Sequence, residues 1–90
     1  MKVLCLDPSL RCFGYAVVTE NEIIDYGEIK DYNFKAIFYT LGELIQKYKI
    51  DIIVKEDPFC SFNKKTYRVL CNVESIILLL GEIYDLEVIG

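Results

Sequence analysis

The chain has no histidine, no Cys-x-x-Cys pair and no long apolar run. Without histidine, and with cysteines only at 5, 12, 60 and 71, a zinc site of the usual ligand spacing is not expected. The longest apolar run, Ile76 to Leu80, is far short of the ~18 residues that a membrane span needs. The start, Met-Lys-Val-Leu-Cys-Leu-Asp, meets an acid too early for an export signal. The cysteines are therefore expected to be reduced, mostly buried thiols of a cytoplasmic protein. Repeats, linkers and low-complexity segments are also missing. Ninety residues, 53% hydrophobic and 27% charged, make one domain expected to span 1–90. A net charge of −4 argues against a general nucleic-acid coating protein, because phosphate contacts need Lys and Arg, but it leaves room for a local basic patch.

Hydrophobic patterning gives the elements. Residues 2 to 7 read as a strand apolar on both faces, Val3 and Cys5 on one and Leu4 and Leu6 on the other, so a central strand is expected. Asp7-Pro8-Ser9 ends it. Gly14 to Thr19 and Ile23 to Ile29 read as a hairpin around Glu20-Asn21-Glu22, with Gly27 marking a bulge or a close backbone approach. Phe34, Ile37, Phe38, Leu41, Leu44, Ile45 and Tyr48 recur at helical spacing, with Asn33 or Asp31 as cap and Tyr39 and Tyr48 expected in the core. Ile50 to Val54 is a further buried strand, ending at Lys55-Glu56-Asp57-Pro58. A second helix is expected from about Asn63 to Tyr84, with Tyr67, Leu70, Cys71, Ile77, Leu78 and Ile83 inward. A last strand begins at Leu86.

The order βββαβαβ predicts an α/β fold with a mixed five-stranded sheet in the order 3-2-1-4-5. Right-handed crossovers place both helices on one face. The other face is then left open in this chain, although the central strands are apolar on both sides, which points to a partner chain or a longer natural protein.

Parity ties two acids together. Asp7 shares a face with Val3 and Cys5, and Glu56 shares one with Ile52 and Val54. Both acids end parallel neighbouring strands, at the sheet edge where α/β domains bind ligands. Strands ~4.8 Å apart put like charges close, and a hard divalent cation relieves that repulsion. Lys64, Lys65 and Arg68 cluster at the start of the second helix, after Phe59 and Phe62. Positive charge there opposes the helix dipole, and a docked phosphate offsets that cost. Phe62 is a base-stacking or wedging candidate, and Arg11 and Lys55 are further, weaker contacts.

Leu4-Cys5-Leu6-Asp7-Pro8-Ser9 followed by Gly14-Tyr15-Ala16-Val17-Val18 resembles the opening of RuvC-type Holliday junction resolvases, of the RNase H-like superfamily. Gly27-Glu28-Ile29 resembles that family's third strand. Val54-Lys55-Glu56-Asp57-Pro58-Phe59, then Asn63-Lys64-Lys65-Thr66, resembles its second acidic strand and the helix after it. The resemblance implies an RNase H-like fold and a nuclease of DNA recombination and repair. It makes Asp7 and Glu56 the first two of four catalytic carboxylates, which bind Mg²⁺ or Mn²⁺ for phosphodiester hydrolysis. It also implies branched or duplex DNA as partner, contacted through Lys64, Lys65, Arg68, Phe62, Asn63 and Arg11. A homodimer is implied, with no organic cofactor and no membrane.

The family's other two acids lie on a C-terminal helix that this chain lacks, and Glu82, Asp85 and Glu87 do not stand in the matching place. Cys5 and Ser75 stand where the family has glycine. A non-catalytic dimerisation or DNA-binding module is therefore a rival expectation, and a YqgF-like nuclease acting on RNA is another.

Overall fold

The computed structural model describes residues 1–8, 12–30, 33–56 and 64–90, with side chains from residue 68 onward in the last stretch. Seven elements follow in the expected order: β1 Val3–Pro8, β2 Phe13–Val18, β3 Ile23–Ile29, α1 Phe34–Tyr48, β4 Ile52–Lys55, α2 Lys64–Ile83 and β5 Glu87–Ile89. They form one five-stranded sheet in the order β3-β2-β1-β4-β5. β1 is antiparallel to β2 and parallel to β4. This is the mixed sheet with two helices that the sequence predicts.

Period-two alternation sorts the side chains. Leu4, Leu6, Phe13, Val17, Ile29 and Ile53 are buried in one core with Ile37, Leu41 and Ile45 of α1 and Val73, Ile77 and Leu80 of α2. Both helices therefore cover the same face, as right-handed crossovers require. The opposite face carries Val3, Cys5 and Ile52 half-buried and Val54 exposed.

Local chemistry sets the element ends. Asn33, not Asp31, caps α1: its Oδ1 accepts from the amides of Lys35 at 2.9 Å and Ala36 at 3.4 Å. Lys49 closes α1 in the left-handed region at φ 53°, its amide donating to the Ile45 carbonyl. The hairpin turn is held by the Thr19 amide on the Glu22 carbonyl at 2.9 Å. The β2–β3 register shift falls at Val17/Val18, not at Gly27. Gly27 instead allows a close approach: a Cβ there would lie 2.6 Å from the Tyr15 hydroxyl.

Several inward expectations are corrected. Leu78 and Ile83 of α2 are 48% and 53% exposed, while Val73 and Leu80 take the core positions. Tyr39 is 60% exposed, its ring edge-on to Phe38 with centroids 5.7 Å apart, whereas Tyr48 packs against the core. Cys5, Cys12 and Cys71 are half-buried rather than buried. Cys60 lies outside the described residues. Among the described residues no helix is long and apolar enough to cross a membrane.

Candidate metal site

Asp7 stands in β1 one step past Leu6, whose ladder partner in β4 is Lys55. Glu56 follows Lys55 immediately, and its amide reaches the Leu6 carbonyl at 3.4 Å. Asp7 and Glu56 are thus the next step of the same parallel ladder. Cys5 pairs with Val54, so both acids belong to the half-open face that carries those two residues. Both are exposed.

The antiparallel register extends this row. Asp7 pairs with Gly14, and Gly14 with Glu28. Across the sheet edge the row reads Glu28, Gly14, Asp7, Glu56. Gly14 puts no side chain between the acids, and a Cβ there would sit 3.7 Å from the Cβ of Asp7, an ordinary contact. The next row inward is apolar: Tyr26, Ala16, Cys5, Val54 and Ile89. An open groove of about 600 Å³ runs over this surface and is lined by residues of both rows, including Asp7, Glu28, Val54 and Glu56. Sequence reasoning missed Glu28 and Gly14 as members of the edge row. A plain count from the hairpin turn pairs Gly14 with Gly27, and only the register shift at Val17/Val18 brings Glu28 into the row.

Two carboxylates on neighbouring strands, exposed and facing one way, suit a hard divalent cation, which takes oxygen ligands. They are a partial shell. Among the described residues no cluster of three or more His, Cys, Asp or Glu has the spacing to hold a metal ion.

The basic residues are placed only in part. The backbone of Lys64 and Lys65 forms the first turn of α2, which carries no acidic residue, and Arg68 lies exposed in the next turn. Phe62, Asn63, Arg11 and Phe59 lie outside the described residues. Lys55 is not a surface contact. It points to the helix face, is 6% exposed, and donates from Nζ to Glu74 Oε1 at 2.5 Å.

Comparison with known proteins shows the same likeness. The chain is 34% identical to the crossover junction endodeoxyribonuclease RuvC of Aliarcobacter butzleri, over 88% of this chain and 58% of that protein. It is 29% identical to the same-named protein of Caldicellulosiruptor saccharolyticus, over 88% of this chain and 55% of that one. The chain thus spans little more than half the length of these curated relatives. No family model matches it. In fold it is similar to Thermus thermophilus RuvC in complex with Holliday junction substrate, with a TM-score of 0.87 at 13% identity over 98% of this chain and 62% of the other. YeaZ from Pseudomonas aeruginosa is a more distant likeness, with a TM-score of 0.61 at 17% identity.

Proposed function

We propose, from the premise that the chain is RuvC-like in sequence and in fold, that it supplies Asp7 and Glu56 to the divalent-metal site of an endonuclease acting on branched DNA. The observation that carries this reading is the shared face of the two acids, at the carboxyl ends of adjacent parallel strands. Asp7 and Glu56 would hold Mg²⁺ or Mn²⁺, and the chemistry such an ion would supply there is activation of a water and stabilisation of the leaving oxygen in phosphodiester hydrolysis. The protein's part is to present both carboxylates from a rigid sheet edge and to leave the position beside Asp7 bare at Gly14, so that a phosphate has room to approach.

The start of α2 supports DNA as the partner. Lys64 and Lys65 stand in the first turn of α2, where the helix dipole disfavours cations, Arg68 follows one turn on, and α2 has no basic residue in its last turn. Each adverse charge costs about 0.3–1 kcal/mol if exposed. A phosphate at the helix start turns that cost into an attraction. Phe62, Asn63 and Arg11 complete the proposed contact set. The exposed stripe of Leu78, Leu79 and Ile83 on α2 supports a homodimer, since such a stripe is the apolar surface a second copy would cover. The reading places the protein in recombination and repair in the cytoplasm.

A second reading is a non-catalytic DNA-binding or dimerisation module. One observation favours it: among the described residues no group of three or more His, Cys, Asp or Glu is placed to hold a metal ion.

A synthetic four-way junction with Mn²⁺ separates the two. Cleavage lost in Asp7→Asn supports the enzyme. Junction binding without cleavage, weakened in the Lys64→Ala/Lys65→Ala double variant, supports the module. The nucleic-acid reading fails if the chain binds a junction no better than linear duplex and that double variant changes nothing.

A further inference from the structure

Glu56 directly follows the last residue of β4. β1 reaches the end of β4 through the Leu6–Lys55 pair and, one step on, the long Glu56 amide bond of 3.4 Å. β4 itself is only the four residues Ile52–Lys55. The buried Ile53 specifies the register in the middle of the strand, and a shift of one residue beyond it sends every side chain to the opposite face. At this position a shift would exchange neighbours of opposite charge. Glu56 would enter the helix-covered core, and the Lys55 ammonium would emerge beside Asp7, where it would satisfy that carboxylate in place of a metal ion.

The fold contains a device against that exchange. Among the described residues Lys55 is the one charged side chain in the core. It is tied to Glu74, whose side chain is 28% exposed. Glu74 stands on α2 beside Val73, four residues after Leu70 and three before Ile77, all three of which are buried. It therefore lies at the rim of the helix's core stripe, with one end at the sheet and the other in water. A buried ion pair contributes little net stability, because desolvation offsets the Coulomb attraction. Its best-attested use is to fix register.

We propose that Glu74 is a positioning residue for the metal site: by holding the Lys55 ammonium on the helix face, it keeps Glu56 on the open face and prevents Lys55 from occupying Asp7. This inference rests on the reading of Asp7 and Glu56 as metal-binding carboxylates. The site then depends on a helix residue that touches neither acid, and Lys55 acts as the site's built-in competitor.

Mn²⁺ titration of the whole chain, followed by the loss of the free-ion electron paramagnetic resonance signal, tests the lock, with far-UV circular dichroism as the check on folding. Glu74→Gln weakens Mn²⁺ binding by about tenfold, the lower end of the loss caused by removing groups that orient metal ligands, taken as the scale for an indirect effect. Adding Lys55→Met in that background removes the competitor and restores affinity to near that of the parent. A purely structural role for the pair predicts lower stability with unchanged Mn²⁺ affinity in the folded fraction, and no rescue. If Glu74→Gln does not fold, Glu74→Asp keeps the charge and shortens its reach: weaker Mn²⁺ binding that Lys55→Met restores supports the lock. Parent affinity in a folded Glu74 variant, or failure of Lys55→Met to restore it, overturns the lock alone. A parent that binds Mn²⁺ no better than Asp7→Asn overturns the metal reading, and the lock with it.

Discussion

Replacing Asp7 by Asn should have opposite effects with and without metal. Asp7 and Glu56 are successive members of one parallel ladder on the same face, both exposed. Neighbouring strands set two such side chains about 5 Å apart. Two unit charges at that separation repel by about 0.8 kcal/mol in water and about 3 kcal/mol at the effective permittivity of a protein surface. Both groups are open to solvent, so the lower end applies, about 1 kcal/mol. In EDTA, Asp7→Asn removes this repulsion at nearly constant shape, and the protein becomes more stable. For a domain of this size that is a rise in Tm of about 4–8 °C. Salt should shrink the gain, since the charges are exposed. With Mn²⁺ the order reverses. The parent gains about 2.7 kcal/mol at a hundred times its Kd, while the variant has lost a ligand and gains little. Thermal unfolding across a Mn²⁺ series should therefore give two Tm curves that cross. Lower stability of Asp7→Asn in EDTA would show that no repulsion is stored at the row. Parallel responses to Mn²⁺ would show that Asp7 holds no ion.

Three further outcomes test the frame around the site. Asp85 follows α2 at φ 56°, in the left-handed region, and puts a carboxylate at the negative end of the helix dipole. Asp85→Gly should raise the urea midpoint with unchanged slope, a gain of about 1 kcal/mol. Gly81→Ala should destabilise by about 1–3 kcal/mol, because its Cβ would lie 2.6 Å from Val88 Cγ2 and 3.1 Å from the Leu86 carbonyl oxygen. Val88→Ala in the same background should recover part of that loss. The Tyr48 hydroxyl donates to Asp25 Oδ2 at 2.8 Å, and this bond holds the phenol's pKa above its ordinary value. A pKa raised on folding contributes stability that is complete below the unfolded value of about 10 and lost as pH rises through the folded value. Stability measured from pH 8 to 12 should fall above about pH 10 in the parent, and Tyr48→Phe should remove that part of the alkaline loss.

The placement of the two acids was legible where period and parity leave no choice. A strand alternates strictly, so Val3, Cys5 and Asp7 had to share a face, as did Ile52, Val54 and Glu56, and the right-handed crossover made β1 and β4 neighbours. α1 was legible for the same kind of reason: Ile37, Leu41, Leu44 and Ile45 form a clear stripe, and all are buried. The phase of α2 was not. Ile76 to Leu80 is apolar at every position, so spacing alone cannot say which side faces the sheet. Packing in the common core with Ile37 and Leu41 of α1 and Leu4 and Ile53 of the sheet selects Ile77 and Leu80 and leaves Leu78 and Leu79 exposed. Lys55 was misread because its partner Glu74 is nineteen residues away on another element. A lysine at the end of an apolar strand looks like the start of a surface loop until the helix that crosses it is in place. Glu28 went unnoticed because its place in the edge row depends on the register shift at Val17/Val18.

The proposed DNA partner is compatible with a chain of net charge −4 because the charges are unevenly placed. The edge row concentrates Glu28, Asp7 and Glu56 along one line of the sheet, and a phosphate approaching it bare meets repulsion. Lys64, Lys65 and Arg68 belong to the first two turns of the helix that follows β4. Attraction and repulsion are thus carried by separate elements of the same domain. A divalent charge held between Asp7 and Glu56 cancels the repulsive element and leaves the attractive one unopposed. Linkage makes that coupling reciprocal: if the ion raises affinity for a phosphate backbone by some factor, the backbone raises affinity for the ion by the same factor. An incomplete carboxylate shell is then less of a handicap than it looks in isolation. The two acids need not grip an ion tightly by themselves, provided that phosphate oxygens supply the remaining ligands when DNA is present.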